Sequence, residues 1–404
     1  MSGEQQLAPR PAHVPADRVY EFDYFNASGG DRDVHLMWKR LHEAAPDIFW
    51  TPYYGGHWVT TRGEDIETMQ MEYERFSHRK YRIPYDPELA NDPALPLNED
   101  PPVSTPYRAL IAPAFLPKVV AKLEDQVRQV AAEAIEGFLP RGECEFVSEF
   151  ARVLPIVVFL RMVDLPLADA PWLLEQTEIN IHSNSIAERQ AAHAAVKRYL
   201  AHYTEARAAN PGDDLISTVA TAQIEGRPIT QKEVLSVCTL LMAGGLDTVA
   251  SMLGFVAWFL ADHPVHRRQL IEHPELMRNA VEEFMRRYGL ANNVRMITHD
   301  FEYKGVQFKQ GEQILLPTAL YGLDERKIDK PLEVNFSREF PIPHAAFGNG
   351  VHTCPGAALA RREVKIFLEE WLKRIPDFQV KPGTTLITTS GGVNSVRELH
   401  LTWP

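Results

Sequence analysis

Twenty-eight consecutive residues, Val234 to Ala261, carry a single charged side chain, Asp247. A run of that length and polarity either crosses a membrane or forms a helix enclosed by protein on every side. Its start is marked. Thr230-Gln231-Lys232-Glu233 is a capping box: the Thr230 hydroxyl accepts from the Glu233 amide while the Glu233 side chain reaches back. His263-Pro264 stops the helix near Asp262. The membrane reading fails because Asp247 would lie near the bilayer centre beside Gly244 and Gly245, and nothing else in the sequence spans. A long helix through a soluble core remains, and a charge at its centre needs a reason.

Composition supports that choice. Of 404 residues, 45% are hydrophobic and 24% charged, the balance of an ordinary globular protein. One large domain can be built at this length. The net charge of −12 opposes attraction to nucleic-acid phosphate. Three cysteines, Cys144, Cys238 and Cys354, cannot form a disulfide framework and suit a reducing compartment. Met1 to Asp17 is polar and rich in Pro and Ala, with no apolar signal core. The expectation is an acidic cytoplasmic protein, monomeric by default, with no nucleic-acid or membrane partner.

Local patterns place the other elements. Ile48 to Thr61 reads as two short strands around Gly55-Gly56, and Val294 to Pro317 as a second β patch turning at Lys304-Gly305 and Gln310-Gly311. From about Pro117 to His263 the pattern is helical. Between Tyr81 and Pro106 seven prolines fall in a stretch without periodicity, too long for an ordinary connection and therefore a candidate functional loop.

The densest chemistry lies at Phe347-Gly348-Asn349-Gly350-Val351-His352-Thr353-Cys354-Pro355-Gly356-Ala357-Ala358-Leu359-Ala360-Arg361. A glycine-rich loop delivers one cysteine to the start of a helix, with Pro355 suited to the first turn. Ala360, Val364, Phe367, Leu368, Trp371 and Leu372 give that helix one buried face. Helix amides and the helix dipole favour a thiolate at such a place. Gly348 and Gly350 let backbone approach a flat partner closely. An inert buried cysteine is the bland alternative. A zinc site lacks further paired ligands, and a cysteine hydrolase would draw its base from any of 15 histidines.

With every signature position filled, this segment resembles the haem-binding signature of the cytochrome P-450 monooxygenases. The resemblance extends over almost the whole chain. Leu246-Asp247-Thr248-Val249, Gly322-Leu323-Asp324-Glu325-Arg326 and Arg374-Ile375-Pro376-Asp377-Phe378 look like the bacterial camphor-hydroxylase group. The resemblance implies a mainly α, triangular fold with a small β region, as one haem domain over residues 1–404. Haem b (iron protoporphyrin IX) would lie between the long helix and the cysteine loop, with Cys354 as axial thiolate. Phe347, Gly348 and Gly356 would frame it, and His352, Arg108 and Arg295 would hold the propionates. Asp247 and Thr248 become an acid–alcohol pair that delivers protons. Glu283 and Arg286 match the family's Glu-x-x-Arg pair, with Arg338 as a third member supporting the underside of the cysteine loop.

Departures from that group shape the substrate expectation. Asn293 stands where the camphor enzyme has an aspartate near a propionate. Pro355 stands where it has a leucine, removing one N–H donor near the sulfur. Asp92 falls where its substrate-binding tyrosine would be, with Ala94 and Leu97 at neighbouring pocket positions. Leu240, Ala243, Gly244, Ala291, Val294, Gly392 and Val393 would complete an apolar wall. The resemblance then favours a terpenoid or norisoprenoid ketone such as an ionone over camphor. O2 would be the co-substrate, and a [2Fe-2S] ferredoxin with its NADH-dependent reductase the electron source. Arg108, Arg361, Arg362 and Lys365 are candidates for the docking patch, while Glu67 and Glu74 are acidic where the camphor enzyme is more basic. Competing readings are peroxide-driven oxygenation, a haem-binding sensor without turnover, and the cysteine hydrolase.

Overall fold

In the computed structural model of the protein, the capping box at Thr230 opens a 32-residue helix, Gln231–Asp262, closed by His263 and followed by Pro264. The structure describes residues 7–26, 33–85, 94–182 and 185–404. Thr230 Oγ1 accepts from the Glu233 amide at 3.3 Å, and the Thr230 amide donates to Glu233 Oε2 at 2.7 Å. Tyr107 and Arg227 also donate to that carboxylate, and Arg227 holds its pKa well below the usual range. One polar knot thus fixes the start of the helix.

The described chain divides into two compact units, the first over residues 1–91, 273–354 and 385–397, the second over 92–272, 355–384 and 398–404. In the second unit, the helices Val153–Met162, Ile186–Ala209, Leu215–Ala220 and Ala357–Arg374 pack against the long helix. Val234, Val237, Cys238 and Met242 join Leu160, Leu173, Leu200 and Val219 in its core. Among the described residues this helix alone is long and apolar enough to cross a membrane, and protein packing accounts for its apolarity.

Two details differ from the sequence expectation. The stretch from Pro117 to His263 is not uniformly helical: strand Glu143–Glu145 pairs with His400–Thr402, which also pairs with Gln379–Val380. Three residues are too few to show a period, and the partner strand lies more than 250 residues away. Second, helix Ser104–Ile111 begins before Pro106, which sits in the first turn where its missing N–H is no loss. The proline-rich connection therefore ends sooner than expected. Of it, residues 86–93 lie outside the described residues. Leu95 is buried, and its amide donates to Ser236 on the long helix.

In the first unit the expected hairpin forms from Ile48–Thr51 and His57–Thr60, with Trp50 opposite Trp58. Gly56 must be glycine: its φ is 85°, and a Cβ would come within 2.3 Å of the Trp50 ring. Strand Gln313–Pro317 runs parallel to His57–Thr60 and antiparallel to Asn292–Ile297, and Phe76–Ser77 closes the five-stranded sheet. Lys304 and Gly305 turn the adjoining hairpin at positive φ. This sheet fixes Asn293 and Arg295 on one face of their strand.

Thr230→Ala should lower the unfolding free energy by about 1 kcal/mol, the usual worth of a helix N-cap. Glu233→Ala should cost more, since the Arg227 and Tyr107 contacts go as well. Urea denaturation of both variants checks the order.

Candidate functional site

The cysteine loop is closed by its own backbone. The Cys354 amide donates to Phe347 O at 2.8 Å and the Gly348 amide to Ala345 O at 2.9 Å, while the Thr353 amide and hydroxyl both reach Gly350 O. Gly348 and Gly350 have φ of 68° and 71°. A Cβ on Gly350 would meet Gln70 O and Met71 Cα at 3.2 Å, so this glycine admits helix Gly63–Met71; a Cβ on Gly348 would lie 3.9 Å from His352 O. Cys354 is exposed, whereas Cys144 and Cys238 are buried. Burial pushes the Cys238 thiol up to about 12, and the Cys144 thiol further still. Pro355 is not in the first helical turn as expected: Gly356 is the N-cap of Ala357–Arg374, so Pro355 precedes it and disfavours helical backbone at Cys354. Val364, Phe367, Leu368, Trp371 and Leu372 are buried as the periodicity predicts, while Ala360 is half-buried.

Polar donors gather in the same unit. Arg295 is 2% exposed on strand Asn292–Ile297, and His352 is 8% exposed on the turn before Cys354. The His352 ring stacks on His78, with centroids 3.9 Å apart and planes at 23°. Gln70 links Asn293 to Asn349. Sequence reasoning missed both His78 and Gln70, because an isolated His or Gln has no spacing signature. Arg108 is half-buried on helix Ser104–Ile111 in the other unit.

The long helix is open at its centre. Residues on both sides of that point are buried, yet Gly244 is exposed and Ala243, Gly245, Asp247 and Thr248 are half-buried. A Cβ at Gly244 or Gly245 would meet nothing within 4 Å. Thr248 Oγ1 donates to Gly244 O at 3.2 Å, the carbonyl one turn back.

The proposed pocket residues divide between the units. Ala291 bridges Val393, the Asn292 amide donates to Gly392 O at 3.0 Å, and Val294 is buried nearby on the same strand. In the other unit Leu240, Ala94 and Leu97 are half-buried. Asp92 lies outside the described residues.

Glu283 and Arg286 are both fully buried and form a bidentate pair at 2.7 and 2.8 Å, with Arg338 Nε at 2.9 Å from the same carboxylate. Arg286 also donates to the carbonyls of Gly322, Pro331 and Glu333, and Arg338 to those of Asp329, Lys330 and Glu333. The trio therefore holds the irregular chain that leads to the cysteine loop. Two members of the anticipated basic patch are matched by acids, Arg362 by Glu124 and Lys365 by Glu369; Arg128, which the sequence did not single out, pairs with Glu124, Glu369 and Glu370. His42, Asp324 and Glu325 cluster elsewhere, but Arg62 and Lys39 already occupy their acceptors.

Glu363 was not anticipated as special. It is 2% exposed on helix Ala357–Arg374, and burial raises its carboxyl to about 8. A polar side chain in a helix reads as exposed unless its partners are known.

A mainly helical chain with small sheets carries one exposed cysteine in a glycine loop, and comparison with known proteins places that arrangement among the haem-thiolate oxygenases. The family model described as Cytochrome P450 matches residues 167–393. The chain is 33% identical to Probable cytochrome P450 127A1 of Sinorhizobium fredii, over 98% of this chain and 97% of that one. It is 29% identical to nocardicin C N-oxygenase of Nocardia uniformis subsp. tsuyamanensis, over 92% and 96%. The crystal structures of CYP101J2 and CYP101C1 match with TM-scores of 0.91 and 0.90 at 37% identity, covering 98% of this chain and all of theirs. The chain belongs to the cytochrome P450 family and is a haem-thiolate monooxygenase resembling the camphor-hydroxylase group. The donor set fits haem: an exposed thiol for iron, and guanidinium, amide and imidazole groups for carboxylates.

Two outcomes follow. Arg286→Met should destabilise strongly, by roughly 3–5 kcal/mol, because it strands Glu283 without its buried partner; denaturant titration measures this. Glu363 keeps its proton when folded up to about pH 8 and loses it near 4.5 when unfolded. Stability should therefore fall as pH rises through that window, by up to roughly 1.4 kcal/mol per unit. Glu363→Gln should remove the slope, matching the parent near pH 5 and exceeding it at pH 8 in melting experiments.

Proposed function

We propose that this monooxygenase hydroxylates an apolar terpenoid or norisoprenoid ketone, an ionone in preference to camphor, with Cys354 as the axial ligand of haem. The observation that carries the assignment is exposure: of three cysteines, all described, only Cys354 is open and held in a glycine loop. Bound haem supplies the activation of O2. Arg295, His352 and Arg108 neutralise its propionates. Thr248, its hydroxyl turned back on Gly244 O, holds a water, and the Asp247 carboxylate passes protons to it from solvent. Ala243, Gly244, Leu240, Ala94 and Leu97 in the second unit, and Ala291, Val294, Gly392 and Val393 in the first, are the apolar and small residues that the resemblance to the camphor-hydroxylase group assigns to the substrate. Small residues at positions 94 and 243 favour a bulkier substrate than camphor.

Electrons come from a [2Fe-2S] ferredoxin reduced by an NADH-dependent flavoprotein, in the cytoplasm, which suits a chain whose cysteines form no disulfide framework. Arg362 and Lys365 are ion-paired within the fold. Ferredoxin docking should accordingly depend only weakly on salt.

The test is optical. Reduced, CO-treated protein should show the strongly red-shifted Soret band of thiolate ligation, and Cys354→Ser should abolish it. β-Ionone should drive a low- to high-spin shift at lower concentration than camphor; tighter camphor binding overturns the substrate reading. Thr248→Ala should keep consuming NADH while product per NADH falls several-fold, measured by gas chromatography against NADH loss.

A further inference from the structure

Three side-chain amides form a directed chain. Asn349 Nδ2 donates to Gln70 Oε1 at 2.8 Å, and Gln70 Nε2 donates to Asn293 Oδ1 at 3.0 Å. Gln70 is 1% exposed, in the last turn of helix Gly63–Met71. Asn349 lies within the cysteine loop, and Asn293 lies on the strand that carries Arg295.

The direction of these bonds has a chemical consequence. An amide offers two N–H donors and one carbonyl acceptor. With Oδ1 committed to Gln70, Asn293 presents its NH2 group, and Nδ2 bonds to no other described residue. Asn293 and Arg295 stand two residues apart on one strand and share its face. A guanidinium and an N–H on one face suit a carboxylate. Turned the other way, Asn293 would set an oxygen against that carboxylate.

We propose that Gln70 is a positioning residue, which locks the Asn293 amide with its NH2 outward so that Asn293 and Arg295 together donate to a haem propionate. The inference rests on the haem reading above. It assigns no bond between Gln70 and the haem itself: Gln70 acts through Asn293.

A double-mutant cycle on the haem-loaded protein tests it. Gln70→Met removes both amide bonds at similar volume, and Asn293→Leu removes the donor. The readouts are the rate of haem transfer to apomyoglobin and the reduction potential; thermal melts and the CO spectrum check fold and thiolate. Gln70→Met should speed haem transfer about fivefold, the worth of one ordinary hydrogen bond, and Asn293→Leu by on the order of tenfold. The potential should fall in both. The double variant should match Asn293→Leu alone, because Gln70 then has nothing to orient.

Additive effects, or an unchanged rate in Gln70→Met, overturn the proposal. If Gln70→Met loses the thiolate band, Asn349→Ala replaces it in the same cycle, since it frees Gln70 to turn while leaving the buried position filled. Parent protein without haem would fail the haem reading itself and this inference with it, before any variant is compared.

Discussion

A helix buried on either side of its middle and open at its centre is the constraint on which the second unit depends. Its flanks are closed by aliphatic side chains from several helices, and a dense polar knot at Glu233 fixes where it begins. At the centre, Gly244 and Gly245 contribute no side chains, and Thr248 turns its hydroxyl back onto Gly244 O. That opening lies beside the lone charge: Asp247 is half-buried, with Oδ2 of its carboxylate enclosed.

The first unit meets a different difficulty. From Leu323 to Asn349 the chain has neither helix nor strand, and its carbonyls need donors from elsewhere. Arg286 and Arg338 supply them, each spreading several N–H groups over carbonyls of this segment while Glu283 offsets part of the charge. A lysine could not cover that geometry. The irregular segment is therefore ordered by buried ions, and the cysteine loop emerges from its end.

Features with a local period or cap could be read from the sequence. The capping box gave the long helix its start, the histidine–proline pair its end, and the Cys354 loop its glycine turns. What escaped reading depends on distant partners. Strand Glu143–Glu145 exists because His400–Thr402 comes to it, and nothing in three residues announces that. The matched charges of Arg128 and Arg362 likewise join two helices far apart in sequence; counting cations alone suggested a basic patch. Gly350 could be read as conformationally free, but not that its neighbour is Met71. Glu363 was hidden for a related reason, since burial is a property of the surroundings and not of the residue.

The amide chain through Gln70 belongs to this last kind, and charge explains its form. In a protein of net charge −12, another carboxylate beside an anionic ligand must either take up a proton or be outweighed by cations. An amide at position 293 donates without titrating, so it supports a carboxylate at any pH where the fold persists. The exchange has a disadvantage: an amide is two-faced, and half of its orientations repel. Gln70, enclosed and bonded on both sides, removes that ambiguity. Asn293 and Gln70 are thus two parts of one solution, with the neutral donor requiring the buried residue that orients it.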